Sequence, residues 1–165
     1  MNSFIRLSII VFLAGIVSGC GFQLRGDVQV PDEAKNLHLV TPSNALEDEF
    51  AVYLLDAGVN LTPQAQGADS VLRLSNEQYE KRTLSVDPDT GKEREFEITY
   101  SVAFSLRTSD GDVLIKRQAV ELQRDYVFDA DQVIGKSREE SLLRAEMRRD
   151  AVQQILRRIE ASVSQ

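Results

Sequence analysis

The chain predicts an α+β fold, with two helices packed on one face of a four-stranded mixed or antiparallel sheet whose long strands project beyond the helices. Three observations carry the prediction. Residues 71–128 alternate apolar and polar side chains between turn signals, a period of two. Residues 43–58 and 137–159 repeat apolar residues every three or four positions. A short apolar run, Leu37 to Thr41, stands just ahead of the first of these helices.

Leu37 to Thr41 lies between Asn36 and Pro42 and has the size and apolar content of a short buried strand. Ser43 is placed to cap the helix that follows, in which Leu46, Phe50, Leu54 and Ala57 share a face. Glu47, Asp48 and Glu49 sit near the positive end of the helix dipole, and Gly58 stops the helix. From Glu95 to Arg107, the apolar residues Phe96, Ile98, Tyr100, Val102, Phe104 and Leu106 take every second position, as in a strand with one face on a core and one in water. Val71 to Val86 alternates more loosely and connects through Asp87-Pro88-Asp89-Thr90-Gly91, a turn. After a second turn at Ser109 to Asp112, Val113 to Phe128 returns as the last strand.

These strands greatly exceed the usual length of about five or six residues, so the hairpin reaches past what one layer of helices covers. The residues of the projecting part, Lys81, Arg82, Lys92, Glu93, Arg94 and Glu95, suit a wet interface rather than lipid. Taken singly, each also serves to block edge-to-edge pairing. Ser137-Arg138-Glu139-Glu140 forms a capping box for the closing helix, whose apolar face is Leu143, Met147, Ala151, Ile155 and Ile159, widened by Val152 and Leu156. Arg144, Arg148, Arg149, Arg157 and Arg158 are expected to form a solvated face paired with Glu140, Glu146 and Asp150, in preference to an anion-binding stripe.

Composition narrows the function. A chain of 165 residues with 42% hydrophobic residues is long enough for one domain with its own core. Its net charge of −7 argues against nucleic acid as a partner, because phosphate neutralisation needs a basic surface. The single histidine, His38, lies inside a strand, no glycine-rich phosphate loop occurs, and Asp125, Asp129 and Asp131 lack the spacing of a calcium loop. No enzyme, no metal site and no cofactor are expected.

The N-terminus carries a different signal. Arg6 is followed by an apolar run from Leu7 to Val17, about half the length of a membrane-spanning helix, and then by small residues, the pattern of a cleaved secretory leader at residues 1–19. Val17-Ser18-Gly19-Cys20 resembles the lipobox of bacterial lipoproteins. The resemblance implies that Cys20, the single cysteine, becomes the first mature residue and carries an S-diacylglyceryl group and an N-palmitoyl chain, together enough for firm membrane anchoring. Gly21, where inner-membrane lipoproteins tend to have Asp, points to the outer membrane, periplasmic side. Residues 20–36 form the lipidated N-terminus and tether, and residues 37–165 the single domain.

Cys20-Gly21-Phe22-Gln23-Leu24-Arg25-Gly26, Arg124-Asp125-Tyr126, Lys136 ahead of the last helix, and the order of elements together resemble the LPS-assembly lipoprotein family, LptE. The resemblance covers essentially the whole mature chain. It implies a body within the lumen of the outer-membrane barrel LptD, supporting the assembly of that barrel and helping deliver lipopolysaccharide to the outer leaflet. By position in the family pattern, Lys136 and the hairpin-tip pair Lys92 and Arg94 are the candidate contacts to lipopolysaccharide phosphates. A second reading uses the same elements: a periplasm-facing lipoprotein that binds an apolar ligand or serves as adaptor for another envelope assembly machine.

Overall fold

The computed structural model describes residues 35–127 and 136–163. Its elements in chain order are β1 (Asn36–Val40), α1 (Asn44–Asp56), β2 (Asn60–Thr62), β3 (Ser70–Val86), β4 (Glu93–Thr108), β5 (Val113–Val127) and α2 (Lys136–Val163). The leader, Cys20, nearly all of the tether and two of the clustered acids, Asp129 and Asp131, lie outside the described residues.

The α+β class and the three long strands agree with expectation, but the sheet has five strands rather than four, ordered β2-β1-β3-β4-β5. The additional strand, β2, is a three-residue piece pairing parallel to β1 in the register Asn36↔Asn60 to His38↔Thr62. So short a segment shows no alternation; side-chain bonds across the pair fix it instead. Asn60 Nδ2 donates to Asn36 Oδ1 at 3.0 Å, and His38 Nδ1 lies 3.0 Å from the Thr62 carbonyl, which can only accept. His38 therefore pins an edge strand.

Local chemistry sets the ends of α1. The Ser43 hydroxyl accepts the Leu46 amide at 3.3 Å, satisfying one of the free donors of the first turn. At the other end Gly58 takes φ +76°, its amide donates to the Leu55 carbonyl, and the next amide, of Val59, donates to Leu54. This reverses the chain and drops Val59 into the core, so that β2 runs back beside β1. β1 also pairs parallel with β3, and β3, β4 and β5 form an antiparallel meander.

The core lies between one sheet face and the two helices. Leu72 and Leu74 of β3, Ile98, Tyr100, Val102, Phe104 and Leu106 of β4, and Ile115 and Val120 of β5 pack against Leu46, Phe50 and Leu54 of α1 and against Met147, Ala151, Val152 and Ile155 of α2. Burying each large apolar side chain contributes about 1.5–3 kcal/mol. The helices join through Arg149 Nε to Glu49 Oε1, 3.2 Å, and Gln153 Nε2 to Tyr53 Oη, 2.8 Å. The opposite sheet face carries Arg73, Gln78, Glu80 and Arg82 on β3, in register with Ser105, Ser101, Thr99 and Glu97 on β4.

Candidate functional site

Among the described residues, the β3–β4 hairpin extends past the rest of the fold. The last pair between β4 and β5 is Glu95↔Val127, whereas β3 continues to Val86 and its turn to Lys92. The first turns of α2 dock at Lys81, so the six residues from there to Asp87 carry the tip roughly 20 Å beyond that point. Asp87 organises the tip: its Oδ1 accepts the amides of Asp89 and Thr90 and the Thr90 hydroxyl. Those bonds, from Thr90 above all, hold its carboxyl below the usual carboxylate range. Thr83 donates to Glu93 at 2.6 Å and Ser85 to Glu95 at 2.9 Å, which lace the two strands together.

The root of the hairpin is built differently. Between Ser75↔Ala103 and Gln78↔Ser101 the register slips, so Asn76 and Glu77 together oppose one residue of β4. Asn76 takes φ +54°, a left-handed conformation that Asn tolerates better than most residues. The bulge aims Glu77 toward the helices. Its carboxylate accepts the Ser43 hydroxyl and the Tyr100 hydroxyl, the latter at 3.1 Å, and pairs with Arg148 Nε at 3.2 Å, with 9% of its side chain exposed. Burial together with the Glu77 charge pushes the Tyr100 phenol well above its ordinary value; Tyr79, which donates to the Arg144 carbonyl, is pushed up to about 12, chiefly by burial.

One turn nearer the tip, Lys81 Nζ lies 4.0 Å from the centre of the Phe96 ring and 2.8 Å from Glu140 Oε2. Arg144 holds the other Glu140 oxygen at 2.7 Å and sits over the Tyr79 ring. The Lys81 hydrogen bond in particular depresses the pKa of Glu140. This chain of ion pairs and rings fastens the N-terminal half of α2 to the base of the projecting hairpin. Of the helix arginines expected to pair with Glu140, Glu146 and Asp150, Arg144 does so with Glu140. Arg148 instead pairs with Glu77 of β3, Arg149 with Glu49 of α1, Arg158 donates to the Ala119 carbonyl at 2.9 Å, and Asp150 pairs with Arg124 of β5 at 2.8 Å.

Two of the three basic residues expected to meet lipopolysaccharide lie on the projecting tip. Lys92 is exposed, while Arg94 Nη1 stands 3.8 Å from Asp87 Oδ2. Around them the tip also carries Asp89, Glu93 and Glu95. Lys136 opens α2, the helix whose next turn docks at Lys81, so it belongs to the same end of the molecule; its side chain lies outside the described part. Ser137 of the expected capping box falls inside the helix, one residue after its start, rather than at the cap. Glu77 was not singled out in the sequence; Lys81, expected on the projecting wet part, instead docks on α2 over Phe96, and Arg148, expected on a solvated face, instead pairs with the largely buried Glu77. The break in alternation at Asn76-Glu77 was the available signal.

Comparison with known proteins adds to the geometry. The family model LptE, described as lipopolysaccharide-assembly, matches residues 34–159. The LPS-assembly lipoprotein LptE of Photorhabdus laumondii is 30% identical over 156 residues, covering 93% of this chain and 84% of that protein. Among solved structures, uncharacterized lipoprotein B from Nitrosomonas europaea is 31% identical with a TM-score of 0.72, covering 87% of this chain and 93% of its own. Rare lipoprotein B from Shewanella oneidensis is 30% identical with a TM-score of 0.67, over 78% and 96% respectively. With a family match spanning α1, every strand and most of α2, on a sheet shared with lipoproteins of known structure, this chain belongs to the LptE family.

Proposed function

We propose that this protein is an outer-membrane lipoprotein of lipopolysaccharide assembly. In this reading Cys20 carries the lipid on the periplasmic side, and the body fills the lumen of the LptD barrel and supports its assembly. Lys92, Arg94 and Lys136 contact lipopolysaccharide phosphates during delivery to the outer leaflet. The observation that carries the reading is the family match across residues 34–159, joined to a hairpin that projects past the helices with a polar, hydrogen-bonded surface. Such a surface suits a water-filled barrel interior rather than hydrocarbon. The lipid confines the protein to the membrane and so raises its effective concentration at the barrel.

Photocrosslinking in cells tests the plug. Probes belong at Leu84 and Lys92, which are exposed on the hairpin, with Phe96 avoided because it is buried. High-mass adducts with a barrel protein are expected at both positions. Adducts confined to lipid or to small periplasmic proteins would remove the barrel from the proposal.

A further inference from the structure

The sheet face turned away from α1 and α2 holds a groove of about 460 Å³ at the end opposite the hairpin tip, where β3 begins and the β4–β5 turn closes. Its walls include Arg73, Arg107, Lys116 and Arg117, with Ser105 and Val71 between them and, among the described residues, no carboxylate in the lining. A second bulge gathers these charges: Phe104 pairs with Gln118 but Leu106 with Ile115, so Lys116 and Arg117 together oppose Ser105. Most cations at the helix–sheet contact and the hairpin root pair with an acid, as in Lys81–Glu140, Arg82–Glu97, Arg124–Asp150 and Arg148–Glu77. In the groove, Arg107 donates to the Gly111 carbonyl, and no ion pair is found for Arg73, Lys116 or Arg117 among the described residues.

Four neighbouring cations repel one another, and in a chain of net charge −7 the acids to relieve them are abundant elsewhere. We infer that this groove is a binding site for the phosphate groups of a phosphorylated glycolipid, separate from the hairpin tip. The inference rests on the lipopolysaccharide reading above for the identity of the lipid. The shape supports a single headgroup over a flat membrane surface: the cations line a concavity, hydroxyls of Ser105 and Thr108 are at hand for sugar oxygens, and Val113 and Leu114 are exposed beside it. Guanidinium groups of Arg73 and Arg107 match phosphate oxygens in paired, charge-assisted hydrogen bonds. The groove also lies at the end where β1 enters the fold, since β1 runs parallel to β3 from Leu37↔Ser70.

The test is a titration of the full lipoprotein in detergent with fluorescent lipopolysaccharide, with the same lipid after phosphatase treatment, and with phosphatidylglycerol vesicles. Arg73→Gln combined with Lys116→Gln should weaken binding of the phosphorylated lipid at least tenfold and of the dephosphorylated lipid less than twofold, with an unchanged thermal midpoint. Unchanged affinity, or equal loss for both lipids, overturns the site. Vesicle binding as tight as lipopolysaccharide binding, lost in the same variant, overturns the glycolipid assignment in favour of the membrane surface. A parallel variant, Lys92→Gln with Arg94→Gln, separates the two readings. If it alone loses binding, the groove fails while the function stands; if the unmodified protein binds no lipopolysaccharide, both fall.

Discussion

Replacing Glu77 with Ala should cost about 3 kcal/mol of folding stability. The carboxylate is 9% exposed and holds Arg148, whose side chain is 20% exposed, as well as the Tyr100 and Ser43 hydroxyls. Breaking a fully buried ion pair from one side costs about 3–5 kcal/mol because the partner charge is left unpaired. Arg148 keeps some access to water, which reduces that figure to roughly 2 kcal/mol; the Tyr100 hydroxyl, stranded without an acceptor, adds about 1 kcal/mol. Glu77→Gln keeps one acceptor oxygen, so that one hydroxyl still donates while the other must turn to accept from the amide NH2, and it should cost about half as much. Urea unfolding followed by far-ultraviolet circular dichroism gives the numbers directly, with an unchanged denaturant slope expected. A cycle with Arg148→Met isolates the pair: the double variant should be about 2 kcal/mol more stable than the sum of single losses predicts. A Glu77→Ala cost under about 1 kcal/mol, or strict additivity in the cycle, would refute the reasoning that the bulge exists to bury this acid against α2.

The same bulge predicts that Asn76→Val costs about 1–2 kcal/mol because of its positive φ, whereas Asn76→Gly stays within a few tenths; equal losses in chemical denaturation would contradict this. Glu140 has a folded-state pKa depressed below the ordinary 4.5, so its pairing with Lys81 contributes stability above that pH and loses it as pH falls through the lower folded value. Acid unfolding of Glu140→Gln should therefore show a shallower decline below pH 4.5 than the parent, measured by circular dichroism. Cys20→Ala should move the protein out of the membrane fraction yet leave its unfolding midpoint unchanged, since the core cluster among the described residues forms without it.

How much of this was legible in the sequence depended on the period. β4 keeps strict alternation from Phe96 to Phe104, and every one of its inward residues is buried, so its reading was accurate to two residues at either end. The helices were equally plain, because each presents one continuous apolar face to a single core. Where the backbone departs from a regular period, pattern reading fails for a physical reason. At Asn76-Glu77 and at Lys116-Arg117 an extra residue enters the strand, and the charged side chains there are re-aimed relative to simple alternation. Those two slips place Glu77 in the helix–sheet junction and two cations in the groove. β2 escaped notice because its pairing depends on long-range contacts to Asn36 and His38, which no local pattern encodes.

The hairpin extension should be the least stable part of the described fold, and this follows from what covers it. Among the described residues it consists beyond Glu95 of two strands without a third, and beyond Lys81 the docked first turns of α2 no longer hold it. An isolated two-stranded hairpin is marginal in water. Leu84 and Val86 are 43% and 57% exposed, so they contribute little burial, and the remaining ties are the exposed bonds Thr83–Glu93, Ser85–Glu95 and the Asp87 turn. Hydrogen exchange should therefore show opening of residues 84–94 at a small fraction of the global unfolding free energy, while Tyr100 to Leu106 exchange only through global unfolding. Enclosure in a polar lumen would supply the missing partner and raise protection across that segment alone. Strong protection of 84–94 in the isolated protein would mean that the hairpin is already rigid, and the proposed barrel would then have no ordering to contribute.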